Sequence, residues 1–127
     1  PDYHSVIPHR TESTVTCNTA ALTKQVKAIA PFANEKYKGV TLTIEGELLT
    51  LSTKNPEGDK VTVDMPCARS GVVTDYEIGC NLTYLLDVLS VISTKEVDLN
   101  FNDPNSSCLI TPHDAESTQY VIMPMRL

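Results

Sequence analysis

The sequence predicts an α+β domain built from two βαβββ half-repeats, with two helices on one side and antiparallel sheets on the other. Two segments carry helical apolar spacing, about eight others alternate apolar with polar residues, and the halves can be laid over each other in order. Cys17-Asn18 followed by Leu22 matches Cys80-Asn81 followed by Leu85. Val40-x-Leu42-x-Ile44 matches Val97-x-Leu99-x-Phe101, and Val63-x-Met65-Pro66 matches Val121-x-Met123-Pro124. Antiparallel α+β proteins do reuse similar strand patterns, but three matches in sequence order are hard to obtain by accident.

Residues 11–17 supply the first strand. The first helix is expected over about 18–30, with Asn18 as N-cap, Leu22, Val26, Ile29 and Ala30 on its apolar face, and Pro31 stopping it. Strands follow at 40–44, 49–51 and 61–65, separated by Glu45-Gly46-Glu47 and Asn55-Pro56-Glu57-Gly58-Asp59, which have the residues that tight turns require. Residues 75–80 open the second copy. Its helix is expected over about 82–92, capped by Asn81, with Leu82, Leu85, Leu86 and Leu89 as its stripe. Strands at 97–101, 108–110 and 120–123 complete it, with a turn at Asn102-Asp103-Pro104-Asn105. Each strand has one wet face, so both helices need a sheet to cover.

The end of the chain is unusual. Tyr120-Val121-Ile122-Met123-Pro124-Met125-Arg126-Leu127 is apolar nearly to the carboxylate, where a terminus is normally polar, so something must cover it. Pro124 ends the strand by removing a donor, and the flexible thioether of Met125 suits a groove that accepts several partners. A final core strand with a short tail is the plainer reading of the same residues.

At 127 residues the chain can bury a core without metal or disulfide staples. Its net charge of -6 argues against holding nucleic acid by broad electrostatic attraction, which needs clustered Lys and Arg. Any contact with DNA must be local or topological. Asp87 interrupts the longest apolar run, no signal-peptide pattern precedes the first strand, and a soluble protein is expected. The opening Pro1-Asp2-Tyr3 has no initiator Met, which reads as a processed chain or a fragment. Cys17, Cys67, Cys80 and Cys108 form no Cys-x-x-Cys pair and no His stands at zinc-finger spacing, so neither metal nor cofactor is expected. Reduced thiols acting as small hydrophobes in a cytoplasmic protein fit best.

Several segments together carry a resemblance: Pro1-Asp2-Tyr3 with Val6-Ile7-Pro8, Asn34-Glu35-Lys36-Tyr37-Lys38-Gly39-Val40, Glu77-Ile78-Gly79-Cys80-Asn81 leading into Tyr84-Leu85-Leu86-Asp87-Val88-Leu89, and the terminal octapeptide. Over essentially its whole length the chain resembles the C-terminal third of the bacterial DNA polymerase III beta subunits, the ring-shaped sliding clamps. The resemblance implies the DNA-clamp processivity fold and a third domain spanning 1–127. It also implies a head-to-tail homodimer in the full-length protein, whose six domains encircle duplex DNA without reading its sequence. Such a protein is a non-catalytic processivity factor of DNA replication. Encirclement explains how an acidic chain can serve DNA, and weak contacts permit sliding.

The resemblance further implies a peptide groove for Gln-Leu-x-Leu-Phe-type motifs of the DNA polymerase III alpha subunit, the clamp loader, other polymerases and repair proteins. Carried over by local match, Val6, Val121, Met123 and neighbouring Pro1 would line its deep apolar subsite. Asn81, Tyr84, Asn105, Ser107, Pro124, Met125 and Arg126 would border its shallower part. Lys24 and Lys27 lie off the apolar stripe of the first helix and are expected to face the DNA channel. Phe32, Glu57 and Asp59 are expected at the dimer interface. Ser5, Asn105 and Cys80 depart from residues frequent in the family (Arg, an aliphatic residue and Phe), and Pro31-Phe32 stands where an aliphatic pair is usual.

Two other readings compete. Ser106, Ser107 and His113-Asp114 supply the atoms of a small serine hydrolase, but no nucleophile elbow or glycine-rich oxyanion loop surrounds them. A clamp-like peptide-binding domain of plasmid or phage origin, outside the usual ring, would share the same motifs.

Overall fold

The computed structural model describes residues 13–33, 39–55, 57–71, 75–101, 108–113 and 120–122. Strand β1 (Ser13–Asn18) runs straight into helix α1 (Thr19–Ile29). Strands β2 (Gly39–Glu45), β3 (Leu48–Lys54) and β4 (Lys60–Pro66) complete the first half. After a short strand β5 (Ala68–Gly71) come β6 (Tyr76–Asn81), helix α2 (Leu82–Val91), β7 (Glu96–Phe101), β8 (Cys108–Pro112) and β9 (Tyr120–Ile122). Apart from β5, each half is βαβββ, as expected. Strand β5 was not foreseen because Ala68-Arg69-Ser70-Gly71 has no apolar alternation; its pairing with β1 places it.

The halves are interleaved. One sheet has the order β4-β3-β2-β6 and the other β5-β1-β7-β8-β9, so each half lends its first strand to the other's sheet. All pairings are antiparallel, and the register bears out the internal repeat. Val40 faces Cys80 and Gly39 faces Asn81 in one sheet, while Val97 faces Cys17 and Glu96 faces Asn18 in the other. Because a strand buries its apolar face only when its neighbours are in place, neither half can form its own sheet alone.

Equivalent asparagines start both helices. Asn18 Oδ1 accepts the Ala21 N–H at 2.8 Å and Asn81 Oδ1 accepts the Tyr84 N–H at 2.9 Å, each satisfying a donor that the first turn leaves without a helical partner. The stripe of α1 is Thr19, Leu22, Val26 and Ile29, with Ala30 only half-buried. Pro31 ends the α-helix but not the turn. Ala30–Phe32 continue as a 3-10 turn whose first positions tolerate a missing N–H, and Ala33 N–H donates to Ala30 O at 3.1 Å. On α2, Val88 joins Leu82, Leu85 and Leu89 in the core and Leu86 is half-buried. Periodicity finds the centre of such a stripe. Its flank is decided by neighbours, and α2 packs against α1 as well as against β6 and β9.

The core lies between the two sheets and beneath the helices. Phe101 of β7 stacks on Tyr76 of β6 with ring centroids 5.2 Å apart and planes 19° from parallel, joining strands of different sheets. The β2–β3 turn is tight, Glu45 facing Leu48, and Gly46 has φ 59°, a value that costs glycine no Cβ clash. It is clasped from the neighbouring segments: Arg69 Nη1 donates to Gly46 O at 2.7 Å, and Gly46 N–H donates to Asp75 Oδ1 at 3.2 Å. In the β3–β4 turn, Asn55 N–H donates to Asp59 O, and Asp59 N–H donates back to Asn55 Oδ1 at 2.8 Å. The expected turn at 102–105 lies outside the described residues.

Candidate functional site

The cap on α2 holds its first turn in place and with it Tyr84, which is 43 % exposed. Strand β9, which packs against α2, presents Val121 at 47 % exposure. Two exposed apolar side chains therefore stand on adjoining elements at one end of the five-stranded sheet. Asn81 spends its Oδ1 on the helix, which leaves its Nδ2 as the group able to meet a ligand. Of the expected groove residues, the structure describes Asn81, Tyr84 and Val121. Pro1, Val6, Asn105, Ser107, Met123, Pro124, Met125 and Arg126 lie outside the described residues.

Phe32 closes the 3-10 turn after α1 and is 48 % exposed, a large apolar surface at the end of the helix. Glu57 and Asp59 are exposed in the β3–β4 turn. The β3–β4 turn leads into β4, the outermost strand of its sheet, on which α1 packs. Lys24 and Lys27 are exposed on α1. Lys95, which the sequence reading did not single out, lines the same groove as these two lysines. A single Lys after a helix gives no periodic signal, and only the fold brings it beside α1.

Of the residues in the hydrolase reading, the structure describes His113, which joins a ladder of polar side chains on the outer face of the five-stranded sheet. Thr16 Oγ1 donates to Asp98 Oδ1 at 2.7 Å, His113 Nδ1 lies 2.9 Å from the same oxygen, and Thr14 Oγ1 donates to Asn100 Oδ1 at 3.0 Å. Cross-strand pairing explains these contacts, since Thr16 faces Asp98 and Thr14 faces Asn100. Ser106, Ser107 and Asp114 lie outside the described residues. All four cysteines are buried and free. Burial pushes the Cys17 and Cys80 thiols up to about 12 and raises Cys67 and Cys108 as well, so all four behave as small hydrophobes and not as nucleophiles. Among the described residues no helix is long and apolar enough to cross a membrane.

Interleaved βαβββ halves with paired, Asn-capped helices define a sliding-clamp domain. The family described as DNA polymerase III beta subunit, C-terminal domain, matches residues 4–126, and the chain belongs to it. The beta sliding clamp of Pseudomonas aeruginosa is 37% identical over 127 residues, covering 100% of this chain and 34% of that protein. Among solved structures, the Pseudomonas aeruginosa DnaN sliding clamp bound to griselimycin matches with a TM-score of 0.88 at 37% identity, covering 100% of this chain and 34% of the other. The DNA polymerase III beta subunit of Thermotoga maritima matches with a TM-score of 0.88 at 31% identity, covering 100% and 34%. The chain thus spans about a third of the relatives it matches.

Proposed function

We propose that this chain is the third domain of a replicative sliding clamp. In this reading the full-length protein closes as a head-to-tail homodimer around duplex DNA. It acts without catalysis as a cytoplasmic processivity factor for DNA polymerase III, and docks Gln-Leu-x-Leu-Phe-type motifs of the alpha subunit, clamp loader, other polymerases and repair proteins. The helix side faces the channel, with Lys24 and Lys27 toward DNA, and Phe32, Glu57 and Asp59 contribute to the subunit interface. The peptide groove is built from Pro1, Val6, Asn81, Tyr84, Asn105, Ser107, Val121, Met123, Pro124, Met125 and Arg126.

The observation that carries the docking part is the exposure of Tyr84 and Val121 on packed, adjoining elements. Exposed aromatic and aliphatic groups beside capped backbone suit a peptide whose Leu and Phe anchors supply most of the affinity. A labelled Gln-Leu-x-Leu-Phe peptide, titrated by fluorescence polarisation, is expected to bind this chain weakly, because the remainder of the deep subsite belongs to a second domain. Met123→Ala and Tyr84→Ala should each weaken it further. Tight binding that ignores both substitutions would place the peptide elsewhere.

A further inference from the structure

Two of the buried cysteines stand side by side where the chain passes from one sheet to the other. Strand β5 pairs with β1 so that Val15 faces Arg69 and Thr16 faces Ala68. One step further along both strands brings Cys17 opposite Cys67. Thr16 and Ala68 point outward, so by alternation both thiols lie on the inner face, where Cys17 is 3 % and Cys67 8 % exposed. Burial first, and then Cys67 itself, raise the Cys17 thiol, as two thiols in close proximity should. Directly opposed residues of an antiparallel pair have Cα atoms about 4.5 to 5.5 Å apart, within the span that a disulfide bridges. The Cys67 N–H donates to Glu47 O at 2.9 Å and not across to Cys17, which favours the closer of these spacings.

We infer that Cys17 and Cys67 form a redox latch, a dithiol that a peroxide closes to a cross-strand disulfide tying β1 to the crossover between the sheets. Cys67 reacts first. It is the more exposed of the two, it leads into β5, a four-residue strand at the edge of its sheet, and the Arg69 guanidinium opposes the upward push of burial on its thiol. When the edge strand opens, the Cys67 thiolate attacks one peroxide oxygen, the O–O bond breaks, and water leaves with the thiol proton, giving the sulfenic acid. The Cys17 thiolate then attacks that sulfur. The S–S bond forms, the S–O bond breaks, and a second water carries off the hydroxyl with the Cys17 proton. Two thiols lose two electrons to one peroxide. With the edge closed neither thiol is a nucleophile, so the latch answers sustained oxidant and not a brief exposure. The other two cysteines face no cysteine across a ladder, Cys80 lying opposite Val40 and Cys108 opposite Phe101 and Ile122, and both stay reduced. In a reducing compartment such a bond is transient and redox-sensing.

The test is to hold the 127-residue chain in excess hydrogen peroxide for hours, block the remaining thiols with iodoacetamide in denaturant, and map the peptides without reduction. A linked peptide pair joining Cys17 to Cys67 is expected, with Cys80 and Cys108 alkylated. The bond closes a loop of about 50 residues and so restricts the unfolded chain. The oxidised form should therefore melt up to about 15 °C higher than the same sample after dithiothreitol, which opens the disulfide and leaves any methionine sulfoxide in place. Cys67→Ser should fold, form no link and show no difference in Tm between peroxide-treated samples with and without dithiothreitol. Four alkylated cysteines, a link to Cys80 or Cys108, a link between two chains, or Cys67 as sulfinic acid beside an alkylated Cys17 would each overturn the latch. So would a linked form that melts no higher than its reduced counterpart.

Discussion

Removing the two helix caps tests the equivalence of the halves and separates stability from docking. Asn18 and Asn81 make the same hydrogen bond, to the N–H three residues on, at 2.8 and 2.9 Å. Replacing either by Ala leaves one first-turn donor without its partner and should cost about 1 kcal/mol. With an unfolding entropy of about 2.1 cal/mol/K per residue over 127 residues, each change lowers Tm by about 4 °C. The two caps share no hydrogen-bond partner and start different helices, so the double variant should lose about 2 kcal/mol. Function should divide them. Asn81→Ala loosens the turn that positions Tyr84 and should weaken a bound Gln-Leu-x-Leu-Phe peptide several-fold, whereas Asn18→Ala should leave it alone. Asn81→Asp restores a good cap and a favourable charge at the helix start, so its stability should return to that of the parent. Any remaining loss of peptide affinity then measures the lost Nδ2 donor. Thermal melts with urea titrations, and polarisation with the labelled peptide, give both readouts. Unequal stability losses for the two alanine variants would refute the equivalence, and unchanged peptide binding by Asn81→Ala would refute its place beside the groove.

Three further expectations concern the core. Phe101→Leu removes the stack on Tyr76 and part of a fully buried volume, and should lower stability by about 1 to 2 kcal/mol with an unchanged urea m-value; a smaller m-value would mean that the two sheets had come apart in the folded state. The cysteines should resist iodoacetamide at about pH 8 until denaturant is added, read by intact mass. Because burial raises the Cys17 and Cys80 thiols from 9.0 to about 12, the unfolded chain releases these protons first as pH rises. Their contribution to stability is therefore complete below pH 9.0 and declines toward about pH 12, by about 1.4 kcal/mol per pH unit for each thiol within that window. A urea midpoint that stayed level across the window would contradict their burial.

Amino-acid order determined the local units of this protein. The spacing of Leu22, Val26 and Ile29 marks one helix and that of Leu82, Leu85 and Leu89 the other. Each is preceded by an asparagine whose short side chain can reach back to its own backbone. Alternation marks β2 and β7, and a glycine free to adopt positive φ marks the β2–β3 turn. Such signals are legible because their cause lies within a few residues. The tertiary structure decided what depends on partners distant in the chain. It exchanges the first strands of the two halves, because β1 and β6 can bury their apolar faces only beside β7 and β2. It selects Val88 over Leu86, because α1 supplies the second wall of the α2 stripe. It orders β5 through β1, with no pattern of its own to announce it. It also gathers Lys95 beside Lys24 and Lys27 across about 70 residues of sequence. Charge clustering is a property of the folded surface, and in an acidic chain only packing can bring scattered lysines to one groove.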